Sequence, residues 1–327
     1  MNTTTQLARI ATALALVVIL LGAWTRLKDA GLGCPDWPTC YGHIVVPNES
    51  HELEQVAASY PGQTVVAEKA WPEMIHRYFA ATLGLLITAI ALLAGRARQQ
   101  GHPVVLPIIL FFLVCVQGAF GAWTVTMKLM PIVVTTHLLL GFTTFSLLAV
   151  LTLQLRGLML PLAVPTWTKH LALAAGVVLF VQIALGGWTS SNYAAVSCLE
   201  LPICQGNWAQ EANFSEAFKI HVADRNYEFG VHDHATRMAI HVAHRIGAMI
   251  AAVALAILAF VLIRSGDALA KLWGTVLAIF LLLQIGLGIN NILLHLPLLN
   301  AVAHNGVGAL LMMTTLVINV LLRRREN

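Results

Sequence analysis

The chain has 327 residues, of which 58% are hydrophobic and only 10% charged, and its mean hydropathy is +0.77. This excludes an ordinary soluble domain, which has no use for so much apolar surface, and makes the bilayer the expected solvent. The net charge of +4 is scattered over loops and forms no basic patch, so nucleic acid is excluded as a partner.

Eight stretches are long and apolar enough to span a membrane as helices. They cover about 7–25, 73–94, 104–126, 132–155, 168–189, 237–263, 268–290 and 299–322. The first exits through Trp24-Thr25-Arg26-Leu27-Lys28 without a small-x-small cleavage site, which favours a retained helix over a signal peptide. Cys34 and Cys40 follow in the first outside loop. The second stretch opens with Glu73-Met74-Ile75-His76-Arg77, with Pro72 placed at its first turn. The third contains Cys115, expected to be a small buried apolar residue, and Gln117-Gly118-Ala119-Phe120-Gly121. The fourth begins around Thr136-His137-Leu138. A basic linker from Arg156 to Lys169, broken by Pro161 and Pro165, leads to the fifth, which ends in Gly186-Gly187-Trp188-Thr189. A long outside loop, roughly 190–236, carries Cys198 and Cys204. The sixth opens with His241-Val242-Ala243-His244-Arg245, the seventh holds Gln284-Ile285-Gly286-Leu287-Gly288, and the eighth has Ala303-His304-Asn305.

With eight spans, Arg9, Arg96, Arg98, Arg156, Lys169, Arg264, Lys271, Arg323, Arg324 and Arg325 fall on one side, where the only acids are Asp267 and Glu326. The positive-inside rule then makes both termini cytoplasmic. Matched features recur at offsets near 165 residues: His244 follows His76 by 168 and His304 follows His137 by 167. Each half has four spans, an even number, so the repeat is parallel, about an axis along the membrane normal. The expected fold is therefore all-α and integral to the membrane, with eight transmembrane helices in two tandem pseudo-symmetric four-helix bundles, 1–160 and 161–327.

Each half also carries a Cys-x5-Cys loop on the oxidising side. These pairs, Cys34 with Cys40 and Cys198 with Cys204, read as disulfides, with a thiol redox couple or a metal clip as rivals. The glycines of the third and seventh spans permit close approach by a helix or a flat macrocycle.

Thirteen histidines are present. His43, His51, His102, His170, His221, His232, His234 and His295 fall in loops and read as solvated. His76, His137, His244 and His304 differ, because a polar side chain at membrane depth is costly and needs a partner. Two imidazoles on neighbouring helices can hold a haem iron from both faces, and two such pairs suggest two haems. Zinc fits less well, since each half supplies only two good ligands. Arg77 and Arg245, next to a ligand candidate in each half, suit the propionates of a haem. The halves differ three residues before the His-Arg: Glu73 in the first, His241 in the second. Residues i and i+3 share a helix face, so Glu73 is placed to take a proton or stabilise positive charge beside the first site.

Thr25-Arg26-Leu27, Gly31-Leu32-Gly33-Cys34-Pro35-Asp36-Trp37-Pro38, Glu73-x-x-His76-Arg77, His137, His244-Arg245 and His304 together resemble the haem A synthase family over essentially the whole chain. The resemblance implies oxidation of the C8 methyl of haem O to a formyl group. It implies a substrate haem between His76 and His137, a haem b cofactor between His244 and His304, and Glu73 as the essential acid. It also makes Cys34 and Cys40 the family's first-loop disulfide. The context it implies is the cell inner membrane, with a haem O synthase, cytochrome oxidase assembly factors and possible homo-oligomers as partners. A bis-histidine b-type cytochrome, of the quinol- or ferric-reductase kind, shares the ligands, but a pure electron wire needs no acid on one side only. A repeat-built transporter would place its polar residues at mid-membrane; here they lie near helix ends.

Overall fold

The computed structural model describes residues 3–98, 103–220, 222 and 225–324. His102, His221, Arg325 and Glu326, assigned above to loops or the tail, lie outside these. The described residues form eleven helices and no strand; a lone antiparallel bridge joins Cys40 and His43. Eight helices are long and apolar enough to span: α1 (Thr3–Leu27), α3 (Ala67–Arg96), α4 (Val105–Thr126), α5 (Pro131–Leu155), α6 (Thr168–Ser191), α9 (His234–Ile263), α10 (Ala268–Leu293) and α11 (Leu298–Leu321). Three short ones, α2 (Ser50–Ser59), α7 (Trp208–Glu211) and α8 (Phe214–Ala217), lie in the loops.

The eight spans match the expected ones in number and order, and the starts of α1, α3 and α9 lie three to six residues earlier than expected. Helix α3 begins at Ala67, so Pro72 is internal rather than in the first turn. Proline has no N–H, which leaves the Glu68 carbonyl without its helical donor. The Pro72 carbonyl in turn accepts the Thr25 hydroxyl of α1 at 3.1 Å. Helix α9 begins at His234, because Asp233 caps it by accepting the Thr236 amide at 2.9 Å. The loop helix α2 is fixed by Glu52, which accepts the amides of Asn48 and Glu49 at 3.0 and 3.2 Å.

Helix α1 packs on α3 and α5, and α4 packs on both α3 and α5, closing a ring of four. Helices α6, α9, α10 and α11 close a second ring in the same sequential order. The rings meet along α1, α5, α6 and α11. Each ring has its own buried apolar cluster: one around Ile87, Ile90, Leu110, Leu148 and Leu151, the other around Leu255, Leu258, Leu262, Leu277 and Ile318. The linker is pinned between them. Met159 and Leu162 are buried in the second cluster, and the Ala163 amide donates to Asp267 at 3.1 Å. Cys115 is exposed, not buried as expected. Helix α4 sits at the rim, where lipid satisfies an apolar side chain as well as a core does.

The long loop after α6 reaches across to the first ring. The Tyr227 amide donates to the Lys128 carbonyl at 3.0 Å, and the buried Tyr227 ring packs with Leu129, Met130 and Val133. Glu228 pairs with Lys69 of α3 at 2.9 Å. From the other direction, Arg26 of α1 donates to the Ser190 carbonyl, and its guanidinium lies 4.0 Å from the Tyr193 ring centroid.

Candidate functional site

The four singled-out imidazoles sit on four different spanning helices, and each rests against a glycine of the spanning helix before it. A Cβ at Gly22 would stand 2.9 Å from the His76 ring; one at Gly121, 3.3 Å from His137. At Gly186 it would stand 3.2 Å from His244, and at Gly288 3.2 Å from His304. No side chain other than hydrogen fits without displacing the ring. His76 and His137 lie on helices of the first ring, and His244 and His304 on helices of the second. Each ring is deep among protein atoms yet keeps part of its surface uncovered.

Glutamines attend three of the rings. The Gln117 amide donates to the His137 carbonyl at 3.0 Å. Gln182 donates to the His244 carbonyl at 3.0 Å and lies 3.0 Å from its Nδ1. Gln284 lies 3.2 Å from Nε2 of His304. The Nδ1 atoms of His76, His137 and His304 are buried with no hydrogen-bond partner. An unpaired buried polar atom costs about 1–3 kcal/mol. Two imidazoles with uncommitted nitrogen in one apolar ring of helices suit a ferric or ferrous haem, which bonds to nitrogen and fills an apolar slot. Among the described residues, no three His, Cys, Asp or Glu gather as a closed metal site.

The remaining polar residues form two clamps on the Cys-x5-Cys loops. Cys34–Cys40 and Cys198–Cys204 are both disulfides. In the first clamp Glu73, only 5% exposed, accepts the Cys34 amide at 2.9 Å through Oε2 and Arg77 at 2.5 Å through Oε1. Arg77 also donates to the carbonyls of Thr39 and Pro38, at 2.5 and 3.3 Å. In the second clamp His241 replaces Glu73: its Nδ1 lies 3.3 Å from the Cys198 amide, and its Nε2 accepts Nε of Arg245 at 3.2 Å. A neutral imidazole has one acceptor nitrogen, and the shorter contact, to Arg245, is the one assigned to it. Arg245 also donates to the carbonyls of Cys198, Glu200 and Ile203. Both guanidinium groups, expected at propionates, are therefore largely committed to loop carbonyls, and the Glu73 carboxylate is turned to the first loop.

Gly33 lets that loop sit directly on α3, since a Cβ there would fall 2.5 Å from the Lys69 carbonyl group. Asp36 shapes the rest of the loop by accepting the Thr39 hydroxyl and the amides of Tyr41 and Gly42. Burial works to raise the Asp36 carboxyl, but these hydrogen bonds outweigh it and hold it below the ordinary carboxylate range.

Eight apolar spanning helices in two rings, each with a disulfide-bonded Cys-x5-Cys loop and two intramembrane histidines, define a multi-pass membrane protein. The Cytochrome oxidase assembly protein family (COX15-CtaA) matches residues 5–316. The chain is 50% identical to heme A synthase of Shewanella oneidensis, over 99% of this chain and 98% of that one. It is 27% identical to heme A synthase of Rhizorhabdus wittichii over 91% of this chain and 88% of the other. The figure for that of Nitrosospira multiformis is 26% over 96% and 91%. The chain belongs to this family.

The histidines, Glu73, the arginines and the cysteines were visible in the sequence; the glycine seats and glutamines were not recognised as site residues. Their signal was present: Gly121 and Gly288 each precede their histidine by 16 residues, inside the repeated Gln-to-Gly motif. Gly118 and Gly286, of the same motifs, face open space.

Two outcomes are expected. Gly33→Ala lifts the first loop off α3, so Cys34–Cys40 is reduced and alkylated several-fold faster than Cys198–Cys204, as read by mass mapping of alkylated peptides. Because the Asp36 carboxyl is lowered in the folded state, its contribution is complete above the ordinary aspartate value of about 4 and is lost as pH falls below it. Amide exchange at Tyr41 and Gly42, corrected for intrinsic rate, should rise in that acid range, and Asp36→Asn should show the raised rate already at neutral pH.

Proposed function

We infer that this chain converts haem O to haem A by oxidising the C8 methyl to a formyl group. The carrying observation is the asymmetry of two otherwise matched clamps, of which only the first, beside His76 and His137, contains a carboxylate. In this reading residues 1–160 and 161–327 are tandem pseudo-symmetric halves, supported by the two like-ordered rings of four helices. Both termini are cytoplasmic by the distribution of Lys and Arg, and the sites face the extracytoplasmic side of the cell inner membrane. A haem O synthase and cytochrome oxidase assembly factors are the expected partners, with a homo-oligomer as a further possibility.

His76 and His137 hold the substrate haem O in the first half. His244 and His304 would hold a haem b, which when bound supplies one-electron transfer to an external electron acceptor, the net oxidant of the reaction. The reaction consumes water. Methyl to alcohol takes up one water and releases two electrons and two protons; alcohol to hydrated aldehyde does the same, and loss of water gives the formyl group. Glu73 takes protons released at the substituent. Arg77 and the Cys34 amide hold its two oxygens, which orients the carboxylate. With both imidazoles bound to its iron, the haem would offer dioxygen no open position, which supports water as the oxygen source.

The clamps also differ in charge. Arg77 is paired with Glu73 at 2.5 Å, so the first clamp is neutral. Arg245 is 6% exposed and bonded only to carbonyls and an imidazole, so the second retains a positive charge. A fixed cation favours the reduced state of a nearby centre, which biases electrons toward the second half.

Glu73→Gln should keep its haem while haem A yield falls at least tenfold, with haem O accumulating. Pigment extraction and chromatography from expressing cells decide this; normal haem A yield would sink the reading. His241→Glu should lower the midpoint potential of the haem bound by His244 and His304 in a spectroelectrochemical titration, because it neutralises Arg245.

A further inference from the structure

The molecule has a second concavity, remote from the imidazoles. Between α6 and the end of α11 lies a groove of about 780 Å³. This is within the roughly 300–1,000 Å³ range of sites for small organic ligands. Leu173, Val177 and Phe180 form one wall, and Leu316 and Val320 the other. Arg323 and Arg324 stand at its mouth. We propose that this groove binds one anionic phospholipid, with an acyl chain along the apolar walls and the phosphate at the two arginines.

Three observations favour that occupant. The first is charge. Arg323 and Arg324 are exposed, and among the described residues neither has a carboxylate partner. The N-terminus of α6 comes to the same end of the bundle and carries Lys169 in its first turn, one turn before Leu173. Arginine forks, a lysine and a helix N-terminus all favour a phosphate. The second is preorganisation. Asn319 is 9% exposed, a costly place for an amide in a spanning helix, and it is used to hold the mouth. Its Nδ2 donates to the Ala172 carbonyl at 2.8 Å, tying α11 to α6. Its Oδ1 accepts Nη1 of Arg323 at 2.8 Å, which fixes that guanidinium while leaving Nε and Nη2 for a ligand. The third is length. From Met312 to Arg324 the groove follows α11 for about 18 Å at 1.5 Å per residue. That matches one leaflet of a hydrocarbon core about 30 Å thick plus a headgroup. A helix from a second copy of the chain would be expected to pack along the whole span instead. A porphyrin would find no histidine or cysteine among the lining residues.

Native mass spectrometry of the detergent-purified, haem-loaded full chain tests this, with dioleoylphosphatidylglycerol and dioleoylphosphatidylcholine as probes. The wild type should retain one phosphatidylglycerol at a concentration about tenfold or more below that needed for phosphatidylcholine, from two basic residues at the headgroup. Equal retention of the two lipids overturns the proposal without reference to any variant. The double variant Arg323→Gln, Arg324→Gln should bring the preference to within about twofold, and an undiminished preference overturns the assignment. Val177→Trp, which fills the groove and keeps both arginines, should remove the first phosphatidylglycerol adduct; survival of that adduct places the lipid elsewhere. Soluble glycerol 3-phosphate should not displace the lipid. If it does at millimolar concentration, the site is a phosphate site and not a lipid groove. An adduct of one further protein mass in place of lipid would make the groove a contact between copies, which also overturns it.

Discussion

A neutral imidazole buried in a membrane bundle has to be given its neighbours by the protein, because the solvent offers none. That constraint is met four times in one way: a histidine lies on the backbone of the preceding spanning helix where a glycine has removed the Cβ. The contact draws α3 onto α1, α5 onto α4, α9 onto α6 and α11 onto α10, and these are four of the closest helix pairs of the two rings. Helix order, interhelical distance and the position of the ligand nitrogens thus come from the same four contacts. Enlarging a seat would move both a helix and a ligand.

One end of each half is then closed by a Cys-x5-Cys segment that cannot float, since it is cross-linked and held to a helix by an arginine. Arg77 and Arg245 use the same fork geometry to collect carbonyls from their loops. What differs is the residue one turn earlier. Glutamate satisfies the Cys34 amide and the guanidinium together because a carboxylate has two acceptor oxygens. Histidine has one acceptor, so the second clamp leans on three loop carbonyls instead. The substitution changes the charge of the clamp while keeping its contacts to the Cys-x5-Cys loop.

Much of this was legible in the sequence because burial in lipid makes polar residues rare and therefore informative. The four histidines, Glu73, both His-Arg pairs and both cysteine pairs stood out on an apolar background, and their spacing near 165 gave the expectation of two matched halves. The glycine seats were read as general packing residues, since their partners lie on another helix and the pairing depends on rotation about two axes. Cys115 was misplaced for the same reason: in a membrane protein, apolarity does not distinguish the core from the rim. The arginines were assigned to propionates by charge alone, and the loop carbonyls that engage them carry no sequence signal. The second span was expected to start at Glu73, with Pro72 at its first turn, whereas six helical residues precede Glu73.

The loop between α6 and α9 had no motif to explain it, and its contacts supply the reason for its length. Glu228 reaches Lys69, in the first turn of α3. The Gly33 backbone rests on the same residue, and Glu73 follows one helical turn later, holding Cys34. A partly exposed ion pair of this kind contributes at most about 1 kcal/mol, so its importance lies in where it acts and not in how strongly. It joins the outer cover of the second half to the turn of α3 on which the first-half loop and its acid are both seated. Movement of the second-half loop is therefore felt by the carboxylate across a single helical turn. The seam contacts of Arg26 with Ser190 and Tyr193 join the same cluster, because the Tyr193 ring packs on Phe229, the neighbour of Glu228.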